Sequence, residues 1–328
     1  MGETKYGVIS DIHNGINLLP KAIDLLKDLG VKKLLINGDI SNEKERPQDT
    51  IWYNEAVLEI IGKSNLESYV QPGSHESLFT YSSVMDYFSD KYSNIIDVTK
   101  QQKIEHKGHT LVFLPGSDFL CGGGYLIGND EGIPSGRYIQ TQIGLMSFEE
   151  FGQYASAVQQ GIAQGAVQYA NMNDLRKLVN DPDKSIVVCH VPRKFDNLED
   201  AVDMAEFGEA TQKFNLYGND VEQGSVFPLP VAQQILQTDA DFPIEIKREN
   251  RGNKDLKSLF EELGINKAVS GHFHESSHRA NDSEGNHVDE DEWVKKLFWN
   301  SGHFEKGYFG ILSVDEDKVK YRNLFLHS

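Results

Sequence analysis

The sequence predicts an α/β fold framed by parallel strands, on three observations. Apolar runs of strand length alternate with amphipathic stretches of helix length through the first third of the chain. Glycine-led turns separate them. And one run after another stops at Asp, His or both, as in Val8-Ile9-Ser10-Asp11-Ile12-His13. Strands repeat every two residues and helices every 3.6, and their strict alternation implies parallel strands with helices packed outside.

The elements follow in order. Tyr6–Ser10 is the first strand. A helix carries Leu18, Leu19, Ala22, Ile23, Leu26 and Leu29 on one face and closes at Gly30. Strand Lys33–Asn37 ends in Gly38-Asp39, and a second helix runs through Ile51, Trp52, Val57, Leu58 and Ile61. Tyr69-Val70-Gln71 then leads into Pro72-Gly73-Ser74-His75-Glu76. In such sheets ligands bind beyond the carboxyl ends of the strands, where Asp11, His13, Asp39 and His75 fall.

A hairpin is expected from Ile104–His106 and Thr110–Leu114, with His106 and His109 as solvent or strand-face residues. Asp118 follows the second of these strands, and a cleft-facing role is the minor reading for it. Cys121-Gly122-Gly123-Gly124 reads as a loop, because it lacks the context of a phosphate-cradling glycine motif. The Gln- and Ala-rich stretch 148–179 reads as helical. Ser185–Cys189 returns as a strand ending at His190. Residues 195–250 read as an irregular, acidic insertion able to cover a site. A helix near Leu256–Leu263 closes at Gly264, and strand Lys267–Ser270 ends in Gly271-His272-Phe273-His274. Leu297-Phe298-Trp299 precedes Asn300-Ser301-Gly302-His303; Tyr308–Val314 and Lys318–Leu326 form a closing antiparallel hairpin. Asn281–Glu292 reads as an exposed loop in which His278, just before it, and His287 are solvated.

With 328 residues, 39% hydrophobic and 25% charged, the chain can hold one large domain with insertions, or two domains. A net charge of −18 argues against nucleic acid as the main partner, since phosphate backbones are gripped by Lys and Arg. It leaves room for a small phosphorylated substrate, because bound cations reverse the local sign. Two cysteines, Cys121 and Cys189, exclude a disulfide framework and fit a reducing compartment, so a cytoplasmic location is expected. There is no apolar signal segment, no myristoylation motif and no run of membrane-spanning length.

The residues at strand ends are Asp11 and His13, Asp39, Ser74 and His75, His190, and His272 and His274. A lone histidine is more often a satisfied core or surface residue. A set of carboxylates and imidazoles, each at a strand end, suits transition metals such as Mn, Fe or Zn better than Ca or Mg. Two metals sharing one carboxylate can hold a bridging hydroxide, and Asp39, after the neighbouring strand, is placed to be that bridge.

In this order the motifs resemble those of the calcineurin-like metallophosphoesterase superfamily. They read here Asp11-Ile12-His13, Gly38-Asp39, Gly73-Ser74-His75-Glu76, His190 and Gly271-His272-Phe273-His274. The resemblance implies a β-sandwich of two mixed sheets flanked by helices. The chain reads as a single domain over residues 1–328; the insertions at about 119–180 and 195–250 lie outside the resemblance and read as segments able to form a cap. The resemblance implies two divalent metal ions, one on Asp11, His13 and His274, the other on His190 and His272, with Asp39 between them. His75 would act at the leaving-group oxygen, with Glu76 orienting it. The substrate class it implies is phosphomono- or phosphodiesters.

One position departs from the pattern. The family places Asn as a ligand of the second metal where this chain has Ser74. Three readings stand: Ser74 ligates directly or through water, the second metal is loosely held, or the chain keeps the scaffold without the catalysis. Arg193 is a candidate phosphate contact or a surface ion pair, and His303 a candidate for the cleft wall. Tyr125, Tyr138, Phe195 and Phe207 are candidates for a substrate wall or for core. Two classes of function remain: a metal-dependent phosphoesterase, or a scaffold of the same fold that binds a protein partner.

Overall fold

The computed structural model describes residues 2–42, 44–119, 123–216 and 218–327. Two six-stranded sheets face each other. The first runs in the spatial order Lys318–Phe325, Tyr308–Asp315, Thr4–Ile9, Lys33–Asn37, Glu67–Gln71, Ile95–Asp97. Its last four strands are parallel and the closing hairpin is antiparallel. The second runs Ala280–Asn281, Leu297–Asn300, Lys267–Ser270, Ser185–Cys189, His109–Leu114, Lys103–His106, with its four middle strands parallel.

Alternation decides what each strand buries. Tyr6 and Val8 of the first sheet meet Phe113, Val188 and Trp299 of the second in a shared core. The opposite face of the first sheet packs under helices Leu19–Asp28, Pro47–Lys63 and Leu78–Lys91. The outer face of the second packs on Leu256 and Phe260 of helix Lys254–Leu263. That helix starts where the Asn253 side chain accepts from Leu256 N at 2.8 Å, and stops at Gly264 in a left-handed conformation of φ 70°.

The stretch 148–179 is not one helix. Phe151–Gln159 is helical, Gly161 turns the chain at φ 69°, and Ala163–Asn171 is a strand. Val167 and Tyr169 alternate into a small core there, and the strand joins Tyr125–Gly128, Gly136–Thr141 and Gly144–Ser147 in a four-stranded sheet. Tertiary pairing overrides the helical preference of Gln and Ala. Residues 195–250 are also more regular than expected. Val226–Pro228, Met204–Ala210 and Ile244–Asn250 form a sheet, and helix Leu229–Thr238 packs on it where Gly208 leaves room for Ala232. Of the Cys121–Gly124 loop, residues 121 and 122 lie outside the described residues.

His109 takes the strand-face reading, on the inner face and away from solvent. It is buried between the sheets and meets the Tyr6 hydroxyl at 2.6 Å, while half-buried His106 meets the Tyr69 hydroxyl at 3.2 Å. His278 is not solvated either; its ring lies edge-on to Tyr308 and its Nε2 is 3.0 Å from the Phe309 carbonyl. His287 is exposed as expected. Among the described residues no helix is long and apolar enough to cross a membrane.

Candidate metal centre

The parallel strands of both sheets deliver their carboxyl ends to one rim. Four residues there hold left-handed backbones: Asp11 at φ 58°, His13 at 46°, Asp39 at 51° and His272 at 66°. Such conformations cost non-glycine residues of order 1–3 kcal/mol each and concentrate at functional sites. They turn each side chain sharply out of its strand. Glu76 helps to hold the turns: its buried carboxylate accepts from Ile40 N at 2.5 Å, Gly73 N at 2.6 Å and Asp39 N at 3.3 Å. Glu76 therefore braces backbone, and its hydrogen bonds do not run to His75.

Asp39 is the hub. Its Oδ1 accepts from Ser74 N at 2.6 Å and His75 N at 3.0 Å. Its Oδ2 accepts from Ser74 Oγ at 2.9 Å, lies 3.0 Å from His190 Nε2, and lies 3.9 Å from both His13 Nε2 and His75 Nε2. Asp11 Oδ1 is 3.3 Å from His274 Nε2 and 3.9 Å from His190 Nε2. Asp39, His190 and His272 bring ligand atoms within 4.8 Å of one another, as do His13, Asp39 and His75, and His13, His274 and His303. All of Asp11, His13, Asp39, Ser74, His75, His190, His272 and His274 thus converge.

The glycines of the motifs are packing requirements. A Cβ at Gly73 would strike Asp39 Oδ1 and His190 Nε2, and one at Gly271 would strike Asp11 Oδ2 and Ser10 Oγ.

The electrostatics ask for positive charge. His190 Nδ1 is 2.9 Å from the Asn37 carbonyl, which fixes the proton there. Its buried Nε2 has no hydrogen-bond partner, yet faces a carboxylate oxygen. Two lone pairs at that separation repel unless a proton or a metal ion lies between them. Burial opposes charge on His190, but Asp39 and Asp11 lift its pKa to about 10. Burial likewise opposes charge on the two carboxylates, and the neighbouring His190 still holds both below the usual carboxylate range. Burial first, then the charge of His190, pushes His272 down to about 3, so its imidazole is a free lone-pair donor. The donor set fits divalent transition metals.

Several weaker expectations resolve here. His303 joins the site: its ring stacks on His274 with centroids 3.6 Å apart. Its segment is pinned by Phe304 N to the Ser10 carbonyl at 3.0 Å and by Glu305 N to the Asp11 carbonyl at 3.1 Å. Asn300, which the sequence reading places in a turn without a role, donates to the Phe273 carbonyl at 3.0 Å and the Gly271 carbonyl at 3.2 Å, shaping the turn that carries His272 and His274. The signal for both was the same pattern, a polar turn closing an apolar strand. Arg193 forms the expected ion pair, with Glu261 at 3.6 Å, but from a buried position between the Phe195 and Phe298 rings at 4.6 and 4.8 Å, and it does not line the cleft. Asp118 accepts from Asn253 and does not line the cleft. Tyr125, Tyr138 and Phe195 are core, and Phe207 lines the cleft.

Fold and site together define a class: an α/β sandwich with side chains able to hold metal gathered at its strand ends. The chain belongs to the calcineurin-like phosphoesterase family, whose profile matches residues 4–276. Among solved structures it is similar to the protein TT1561 of Thermus thermophilus, at 11% identity and a TM-score of 0.50 over 98% of this chain and 99% of that one. It is also similar to a dimetal phosphatase from Danio rerio, at 11% identity and a TM-score of 0.48 over 98% of each chain. At 11% identity the likeness to TT1561 is one of fold alone. No curated protein sequence matches the chain. Family and site support a metal-dependent phosphoesterase in general terms.

Proposed function

We propose that the protein hydrolyses phosphate esters, mono- or diesters, with two divalent transition-metal ions of the Mn, Fe or Zn type. The observation that carries this is Asp39, whose one carboxylate meets ligand atoms of both groups. In this reading Asp11, His13 and His274 would hold one ion, His190, His272 and Ser74 the other, with Asp39 available to both. When bound, the ions supply an activated water and neutralise phosphoryl charge. The chain's own residues do the rest. His190 is kept in one tautomer by Asn37, so its Nε2 stays aimed at the site. Asp39 is held ionised against its burial by the neighbouring His190, and fixed in place by the Ser74 and His75 amides. His75, whose side chain is 28% exposed at the rim, gives its proton to the departing alcohol oxygen. Residues 1–328 act as one domain, in which the insertions at about 119–180 and 195–250 serve as the cap.

The test is turnover of chromogenic mono- and diesters by protein loaded with Mn, Fe or Zn, beside the Asp39→Asn variant. Metal-dependent turnover that the variant loses supports the reading. No turnover with any metal or ester would leave the partner-binding scaffold in its place.

A further inference from the structure

A cavity of about 1180 Å³ opens above the ligand cluster. That volume far exceeds what a phosphate group needs and reaches the size of sites that hold whole organic ligands. Its floor is polar, carrying His13, Asp39, Ser74, His75, His272 and His274. One wall is apolar, and it begins at the site itself. The Phe119 ring packs on His272 with centroids 4.7 Å apart and edge-on to Phe273 at 5.6 Å. Phe207 continues the wall beneath the guanidinium of Arg251, which lies 4.7 Å from its ring centre. Val226 and Leu229, from the insertion, complete it.

Val226 is 48% exposed although it sits in a strand that could have carried a polar side chain. Leaving apolar surface in water is unfavourable unless something covers it. Here the occupant is constrained: whatever lies against this wall also lies against the metal ligands. The charged side chains lining the cavity are mixed, with Glu206, Glu275 and Glu305 against Arg251 and Lys306, so the space does not suit a polyanion.

Resting on the phosphoesterase reading, we propose that the substrate is a phosphate ester of a bulky apolar alcohol, bearing an arene or an alkyl chain, whose body lies on the wall formed by Phe119, Phe207, Val226 and Leu229. The phosphate then reaches the ligands on the floor while the apolar body leaves water.

Non-hydrolysable phosphonates test this by calorimetry on metal-loaded protein. Benzylphosphonate or octylphosphonate should bind at least about 10-fold tighter than methylphosphonate, since their extra carbons leave water for the wall. The stronger of the two identifies ring or chain as the preferred body. In the Val226→Ser/Leu229→Ser variant the ratio should fall by about 3-fold or more. A second reading needs no variant: the heat capacity of binding should be more negative for the bulky ligand than for methylphosphonate. Equal affinities in the unaltered protein, equal heat capacities, or a ratio the variant leaves untouched would overturn the inference while leaving the phosphoesterase reading standing. Failure of methylphosphonate and both bulky ligands to bind would remove both.

Discussion

His190 presents Nε2 to Asp39 Oδ2 at 3.0 Å while the Asn37 carbonyl holds its other nitrogen at 2.9 Å. Without metal, only a proton can settle that contact, and His190 keeps it up to about pH 10. A metal ion must displace it. Metal binding near pH 8 should therefore release protons, and apparent affinity should rise with pH through the range below the His190 pKa. Calorimetric titration in buffers of differing ionisation enthalpy reads the number released. A value of zero would mean that His190 is not a ligand.

His75 lies at the rim and its backbone already serves Asp39. Its imidazole is free for the leaving group. His75→Ala should lower kcat about 10²-fold or more with metal content near that of the unaltered protein. A parallel loss of metal would make His75 a ligand instead, as its closeness to His13 permits.

Ser74 donates its hydroxyl to the same Asp39 oxygen that His190 approaches. Ser74→Asn should keep activity and bind the second metal at least as tightly, because an amide carbonyl reaches further than a hydroxyl. Ser74→Ala should weaken that metal, having lost both a donor to Asp39 and a ligand oxygen. Metal titrations identical for all three proteins would take Ser74 out of the site.

His109 gives a prediction away from the metals. Burial first, then the charges of His106 and Lys33, pushes its pKa down to about 4. The unfolded chain takes up that proton near the ordinary value of 6.5, so the folded state binds fewer protons between the two values. His109 thus favours folding above about pH 6.5, and this contribution fades as pH falls toward 4. His109→Gln should flatten the drop of Tm over that window. An unchanged slope would place the acid sensitivity elsewhere.

How much of this was legible in the sequence depends on the range of the interaction. Asp11, Asp39, His190 and His272 each interrupt an apolar run, and a strand end is a local event that alternation reveals. Their convergence follows from parallel topology. What was illegible depended on partners far along the chain. Tyr6 and His109 sit on opposite sheets, and nothing near either announces the other. Arg193 looks like a surface cation until Phe298, far along the chain, closes over it. Ala163–Asn171 has helix-favouring residues, and becomes a strand because Gly136–Thr141 and Tyr125–Gly128 flank it. The left-handed backbones at Asp11, His13, Asp39 and His272 leave no compositional trace, since only tertiary packing holds them.

The pinning of Phe304 and Glu305 to the carbonyls of Ser10 and Asp11 bears on the order of assembly. A ribosome delivers the first strand and its two ligands long before the segment that clamps them. The loop between the clamped partners spans nearly the whole chain, so closing it is entropically slow. On the two-metal reading, the nascent chain would carry an unfinished site, and full capture of the ions would wait on docking of the 297–315 region.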